Sequence, residues 1–259
     1  SDIILDASGN AFSSAVTLQA DAGNETFGNI TFVDSGAVRL HSSAGTSGDL
    51  YINASTDAAV GGNLNITATT GNITQGRAVT VTGTSSFTTS QNNADITLSR
   101  TDNAFTGTVA LNTSGSGGDA TVDNGTTALD MAASSVGGNL TLTSGNGSGI
   151  IDSGTVTVGG NLVATTDAGS GVINLGTLAV DGTVALTTDS NGAATVVNDA
   201  GLNFAASTVR GALSATATTG DIVDSGNLTI TGTSTFITGA DGSDIILDAS
   251  GNAFSSAVT

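Results

Sequence analysis

The sequence predicts an all-β chain wound as a parallel β-solenoid (β-helix). Three observations carry that expectation: a short repeat near 22 residues, two-residue alternation within it, and glycine at the breaks between alternating segments. A loose Gly-x-apolar-x-apolar-Thr motif starts at Gly62, Gly83, Gly138, Gly160, Gly182, Gly211 and Gly232, with recurrent gaps of 21 or 22 residues. Leu228 and Ile230 alternate with Thr229 and Thr231, Val79 and Val81 with Thr80 and Thr82, and Leu140 and Leu142 with Thr141 and Thr143. Such alternation sends apolar and polar side chains to opposite faces of a strand. Glycine, Asn, Asp and Ser end every segment within about ten residues, so a helix has nowhere to form.

Composition fits a thin pleated interior. The 259 residues hold 37 Gly, no Pro, Cys or Trp, 38% hydrophobic residues and only 3% aromatic ones. The apolar mass is Val, Ile, Ala and Leu, residues that pack a few at a time from each short strand. The chain is too apolar for a disordered tail.

Two longer periods enclose the short one. Residues 243–259, SDIILDASGNAFSSAVT, repeat residues 1–17 letter for letter, so 1–242 reads as one long repeat unit and 243–259 as the start of the next, identical one. At about 22 residues per coil the long period is about 11 coils, roughly 50 Å of rod at the spacing of stacked strands. Residues 62–109 also align without a gap on 211–258, with about 22 of the 48 positions identical. Equivalent residues are expected in equivalent places: Phe87 with Phe236, Asn63 with Asn139. Leu64, Ile66, Val79, Val81, Phe87, Ile96, Leu98 and Phe105 are expected to be buried, and so are Leu213, Leu228, Ile230, Phe236, Ile245, Leu247 and Phe254. Thr, Asn and Ser are expected to form the outer ladders. Residues 243–259 are expected to follow 1–17 by a pure screw. The next coil would come from more of the same polypeptide, or from another copy stacked head to tail.

Segments such as GNLTITGTSTF, TATTGDIVDSG and ADITLSRTDNAF resemble the coil repeats of large bacterial surface exoproteins, the filamentous-haemagglutinin-like adhesins and related β-strand-repeat proteins. The resemblance covers essentially the whole chain. It implies right-handed coils and a secreted, surface-attached shaft, in an extracellular or cell-surface setting such as a fibre or biofilm matrix.

The charge balance narrows the partners. Arg39, Arg77, Arg100 and Arg210 are the only side-chain cations at pH 7, against 22 Asp and Glu, for a net charge of -18. Cations this scattered make no phosphate-binding surface, so nucleic acid is not expected as a partner. No apolar run approaches the length of about 18 residues that a membrane span needs.

Chemistry is sparse. His41, Tyr51 and Glu25 occur singly, and there is no Cys or Lys, so the groups that catalysis tunes are nearly absent. His41 reads as a solvated surface residue, and Met131 and Tyr51 as packing residues. The Asp residues recur with the coil, as in Asp2 and Asp6, Asp221 and Asp224, or Asp244 and Asp248. That is the pattern of turn formers rather than of a paired carboxylate site. The oxygen-rich stretch 239–252 makes Asp241, Asp244 and Asp248 candidates for a Ca²⁺ site, the one cofactor the sequence suggests. The expected role is a non-enzymatic structural shaft or filament segment. A module binding sugar or Ca²⁺ through exposed Asp and Thr faces comes second, and an enzyme acting on polysaccharide third.

Overall fold

The computed structural model describes residues 2–19, 28–40, 49–52 and 58–259. Among these the secondary structure is short strands, mostly of two to six residues, and their pairings are parallel. The chain packs as two compact units, Ser1–Thr127 with Ser135–Gly138, and Ala128–Ser134 with Asn139–Thr259. Each is a β-solenoid.

In the first unit, Ile3–Leu5, Ile30–Asp34, Leu64–Ala68, Ser85–Asn92 and Val109–Ser114 stack as one face. A second face carries Ile73–Gln75, Ile96–Leu98 and Ala120–Asp123, and a third carries Ala58–Val60, Val79–Val81 and Ala104–Phe105. The chain passes from first to second to third face and begins again. Coils run about 21 to 24 residues here, as the register Leu64↔Ser85 and Ser85↔Val109 shows. Two are longer: Ile3 pairs with Ile30, and Ile30 with Leu64 in the longest. Within that long coil Val38–Leu40 and Asp49–Ile52 lie side by side on the second face, in the register Arg39↔Asp49. The sequence pattern did not foresee this doubled strand.

The second unit repeats the scheme. Leu129–Met131, Ile150–Asp152, Ile173–Val180, Ala194–Asn198, Leu213–Ala217 and Ser234–Thr238 form its first stack, in the register Leu129↔Ile150↔Ile173↔Ala194↔Leu213↔Ser234. Leu140–Ser144, Leu162–Thr166, Thr183–Thr188, Leu202–Phe204, Ile222–Asp224 and Ile245–Ile246 form the second. Ser207–Val209, Leu228–Ile230 and Ala253–Phe254 close the third.

The alternation decides what each coil buries. Leu64, Val79, Val81, Phe87, Leu98, Phe105, Leu228 and Ile230 have no exposed surface, Ile66 and Ile96 are 1% exposed, and Leu213 is 2% exposed. Each aliphatic side chain removed from water in this way contributes about 1.5 to 3 kcal/mol. Phenylalanines meet edge to face across neighbouring strands, Phe87 with Phe105 at 5.8 Å and Phe236 with Phe254 at 6.2 Å. The expected burial does not hold for the last coil, where Ile245 is 47% exposed and Leu247 and Phe254 are half-buried. That coil has a neighbour on one side only.

Polar residues also depart from the expected outer ladders. Asn103, Asn124, Asn198, Thr113, Thr166 and Thr188 are buried. The threonines occupy the last inward position of a strand, and their hydroxyls donate across the turn to a carbonyl four or five residues on. Thr89 binds Ala94 O at 2.9 Å, Thr166 binds Gly171 O at 2.8 Å and Thr188 binds Gly192 O at 2.7 Å. A hydroxyl satisfied in this way can be buried without the penalty of a lost partner.

The glycine motif marks where successive coils touch backbone to backbone. Gly83 N–H donates to Gly62 O and Gly182 N–H to Gly160 O. A Cβ at Gly182 would lie 2.4 Å from Gly160 O, closer than any real contact. The motif is not tied to one face, however. In the second unit its copies at 160 and 182 open strands of the second face, while those at 211 and 232 open strands of the first.

The exact 17-residue repeat behaves likewise. Its turn is reproduced: Asn10 Nδ2 donates to Leu5 O at 3.2 Å, and Asn252 Nδ2 to Leu247 O at 3.3 Å. Its place in the coil is not. Ile3 pairs with Ile30 on a first face, whereas Ile245 pairs with Ile222 on a second. The two copies therefore differ in the strands they pair with inside their own units. A three-residue alternating strand carries nothing that distinguishes one face from the next.

Candidate functional site

The recurrent Asp and Asn residues prove to be the connectors between coils. Before the first three first-face strands of the first unit an Asx side chain accepts the backbone N–H of the equivalent residue one coil on. Asn29 N–H donates to Asp2 Oδ1, Asn63 N–H to Asn29 Oδ1 and Thr84 N–H to Asn63 Oδ1, all at 2.8 Å. Before the second face the relay is Asn72, Asp95, Asp119, with Asp95 N–H on Asn72 Oδ1 at 2.9 Å and Asp119 N–H on Asp95 Oδ1 at 3.0 Å. Asn139, Asn161 and Thr183 do the same in the second unit. Asn63 and Asn139 thus share a role but not the equivalent place expected of them, since Asn63 precedes a first-face strand and Asn139 a second-face one. The Asn29 N–H, followed by the Asn29 side chain, holds the Asp2 carboxyl below its ordinary value.

At the third face the relay reverses. Buried Asn103 accepts Val79 N–H at 2.9 Å and Asn124 accepts Phe105 N–H at 2.7 Å, each from the preceding coil, and in the first stack of the second unit Asn198 likewise accepts Val180 N–H at 2.8 Å. Asn103 is the most connected: its Nδ2 reaches Leu98 O, Asp123 O and Gln75 Oε1, and its Oδ1 also accepts from Gln75 Nε2 at 2.7 Å. Such buried asparagines were not legible as core residues.

The proposed Ca²⁺ ligands belong to this system. Asp241, Asp244 and Asp248 are exposed. Asp244 N–H donates to Asp221 Oδ1 at 2.8 Å and Asp248 N–H to Asp224 Oδ1 at 3.0 Å, so the two stand in separate relays. Among the described residues no three His, Asp or Glu side chains are gathered as a metal ion would require. His41 lies outside the described residues. Met131 is fully buried, and Tyr51 is half-buried beside Thr17. Arg39 Nε meets the buried Asp49 carboxylate at 3.1 Å and so joins the two strands of the doubled coil. Arg100 pairs with Asp102 at 2.8 Å on the surface and holds the Asp102 carboxyl below its ordinary value.

Two grooves lie among the described residues. A groove of about 330 Å³ in the first unit is lined by Phe12, Ser13, Asp34 and Gly36 among others, and one of about 360 Å³ in the second by Asp181, Gly201, Asn203 and Asp221 among others. The registers Thr183↔Asn203 and Leu202↔Ile222 set Asp181, Gly201 and Asp221 at one position in three successive coils. The missing side chain at Gly201 leaves the second groove open. Neither groove contains Asp241, Asp244 or Asp248.

Residues 27–112 and 191–259 match a family described as repeats of unknown function (DUF5649). The chain belongs to that family. The two DUF5649 matches each contain one of the aligned copies, 62–109 and 211–258. No curated protein and no solved structure matches the chain.

Proposed function

We propose that this DUF5649 chain is a segment of a structural shaft, part of a secreted bacterial surface fibre that holds other parts of the molecule away from the cell. The observation that supports this reading is the use of the polar residues. Asp, Asn and Thr side chains that could have formed a binding face instead clasp one coil to the next. Repeats spent on self-association suit extension rather than chemistry. The repeat style, which resembles that of filamentous-haemagglutinin-like adhesins, supports export and surface attachment. The second reading, a sugar- or Ca²⁺-binding module, has the Asp181–Gly201–Asp221 groove as its best place.

The test is antibody labelling of intact cells of the source bacterium. Antibodies raised against residues 139–259 should decorate fibres outside cells that have not been permeabilised. Label that appears only after permeabilisation would overturn the proposal.

A further inference from the structure

We propose that Asp241 is a site of spontaneous isomerisation to isoaspartate, which the fold directs to this one of the two Asp-Gly pairs in the chain. The pairs are Asp181–Gly182 and Asp241–Gly242. In the reaction the backbone nitrogen of the glycine attacks Cγ of the aspartic acid. A new N–Cγ bond forms, a Cγ–Oδ bond breaks, and water leaves, made of the carboxyl hydroxyl and the proton that the nitrogen gives up. Water then opens the cyclic imide at either carbonyl, returning aspartate or leaving isoaspartate, in which the main chain runs through the former side-chain carboxyl. Closure needs a carboxyl free to swing over the next peptide, a glycine N–H without an acceptor, and room for the five-membered ring.

The first pair is locked. Gly182 N–H donates to Gly160 O at 3.0 Å. A Cβ on Gly182 would lie 2.4 Å from that oxygen and 2.6 Å from Asn161 Oδ1, so the attacking residue is wedged against the preceding coil.

The second pair meets all three conditions. Asp241 and Gly242 are exposed. Among the described residues neither the Asp241 carboxylate nor Gly242 N–H has a hydrogen-bond or ionic partner. A Cβ placed on Gly242 would meet nothing within 4 Å. The pair holds the two central positions of a turn closed by Ser243 N–H on Ala240 O at 3.3 Å, with Gly242 at φ +80°, the backbone of a type II turn. One bond of that length holds the peptide between the two residues only weakly.

The aligned turn of the first copy shows what closes such a site. There Asn93 stands in the place of Gly242, and its N–H is held by Ser114 O of the following coil at 2.7 Å. A coil laid over Asp241 would close this site in the same way, so the reaction marks a coil that is uncovered. Isoaspartate adds a carbon to the backbone between Ser234–Thr238 and Ile245–Ile246, just ahead of Asp244, whose N–H is clasped by Asp221 Oδ1 at 2.8 Å. The longer turn loosens that clasp. The reaction needs only water, so the isomer accumulates with the age of the molecule.

The whole folded chain is incubated in warm, mildly acidic buffer, where part of the carboxyl is in its acid form. Digestion with an endoproteinase that cuts before aspartate but not before isoaspartate, followed by peptide mapping by mass spectrometry, measures the isomer at both positions. Isoaspartate at Asp241 should build up about tenfold faster than at Asp181, where a backbone hydrogen bond must first break. The same measurement in concentrated urea should bring the two rates together. Comparable rates in the folded chain, a faster Asp181, or the same preference for Asp241 in urea would overturn the proposal.

Discussion

Residues 62–109 and 211–258 fold alike although fewer than half of their positions are identical. The registers Leu64↔Ser85, Ile73↔Ile96 and Val81↔Phe105 in the first reappear 149 residues later as Leu213↔Ser234, Ile222↔Ile245 and Ile230↔Phe254. Even the buried hydroxyls without partners, Ser85 and Ser234, correspond. What differs is the clasp. Gln75 and Asn103 exchange two amide hydrogen bonds in the first copy. In the second, Asp224 takes the place of Gln75, accepting from Asn252 Nδ2 and from the Asp248 amide. Register is therefore set by alternation and by where the turns fall. The polar clasp needs only an acceptor and a donor of the right reach.

The comparison breaks first on aromatic burial. Phe87 is fully enclosed and Phe236 is 6% exposed beside a half-buried Phe254. Phe87→Ala should cost about 3 to 5 kcal/mol, and Phe236→Ala should fall at or below the low end of that range. Urea denaturation followed by hydrogen exchange in each copy would measure both, and equal costs would mean that the outer coil shields Phe236 fully.

The clasp comes next. Asn103→Ala strands Val79 N–H and two carbonyls inside the first copy and should cost about 3 kcal/mol, whereas Asn252→Ala, at a half-buried position, should cost about 1 kcal/mol. A shift in urea midpoint as large for Asn252→Ala would show that the two clasps carry the same load.

The smallest effect separates the copies by pH. Arg100 and Asp102 pair only in the first copy, since Ala249 and Gly251 stand at the corresponding positions. The pair is exposed, so its contribution is about 0 to 1 kcal/mol. The Arg100 guanidinium holds the Asp102 carboxyl below its ordinary value, so that contribution is complete above the ordinary carboxylate range and disappears as pH falls through the lower folded value. Asp102→Asn should shift the melting temperature slightly at neutral pH and not at all in strong acid.

Much of this was legible before any coordinates. The alternation of Val79 to Thr82 fixed both strand and inward side, and the gapless offset of 149 located equivalent coils. The face on which a motif falls was not legible, because Ile3–Leu5 and Ile245–Ile246 read identically yet sit in different stacks. Nor was the interior position of Asn103 or Thr166. Thr166 is tolerable inside only because a turn carbonyl five residues on accepts its hydroxyl, and Asn103 because the adjoining coils supply partners 20 or more residues away along the chain. The doubled strand at Asp49–Ile52 depends on an insertion that no periodicity announces. For the site, the sequence pointed correctly to turn-forming Asp, while the groove over Gly201 depends on a register visible only once the coils are stacked.

The relays running in both directions have a mechanical meaning. Amides entering the first and second faces lean on the coil before, and those entering the third face lean on the coil after, so an interior coil is held from both sides. Under tension along the chain such coils would resist together and then give way one at a time. A coil of 21 residues, the step from Leu213 to Ser234, would release roughly 70 Å of contour length when it unclasps. Such a chain would lengthen under load coil by coil instead of snapping, in steps set by the length of each coil, with each coil a sacrificial link that could re-form against its intact neighbour when the force is withdrawn.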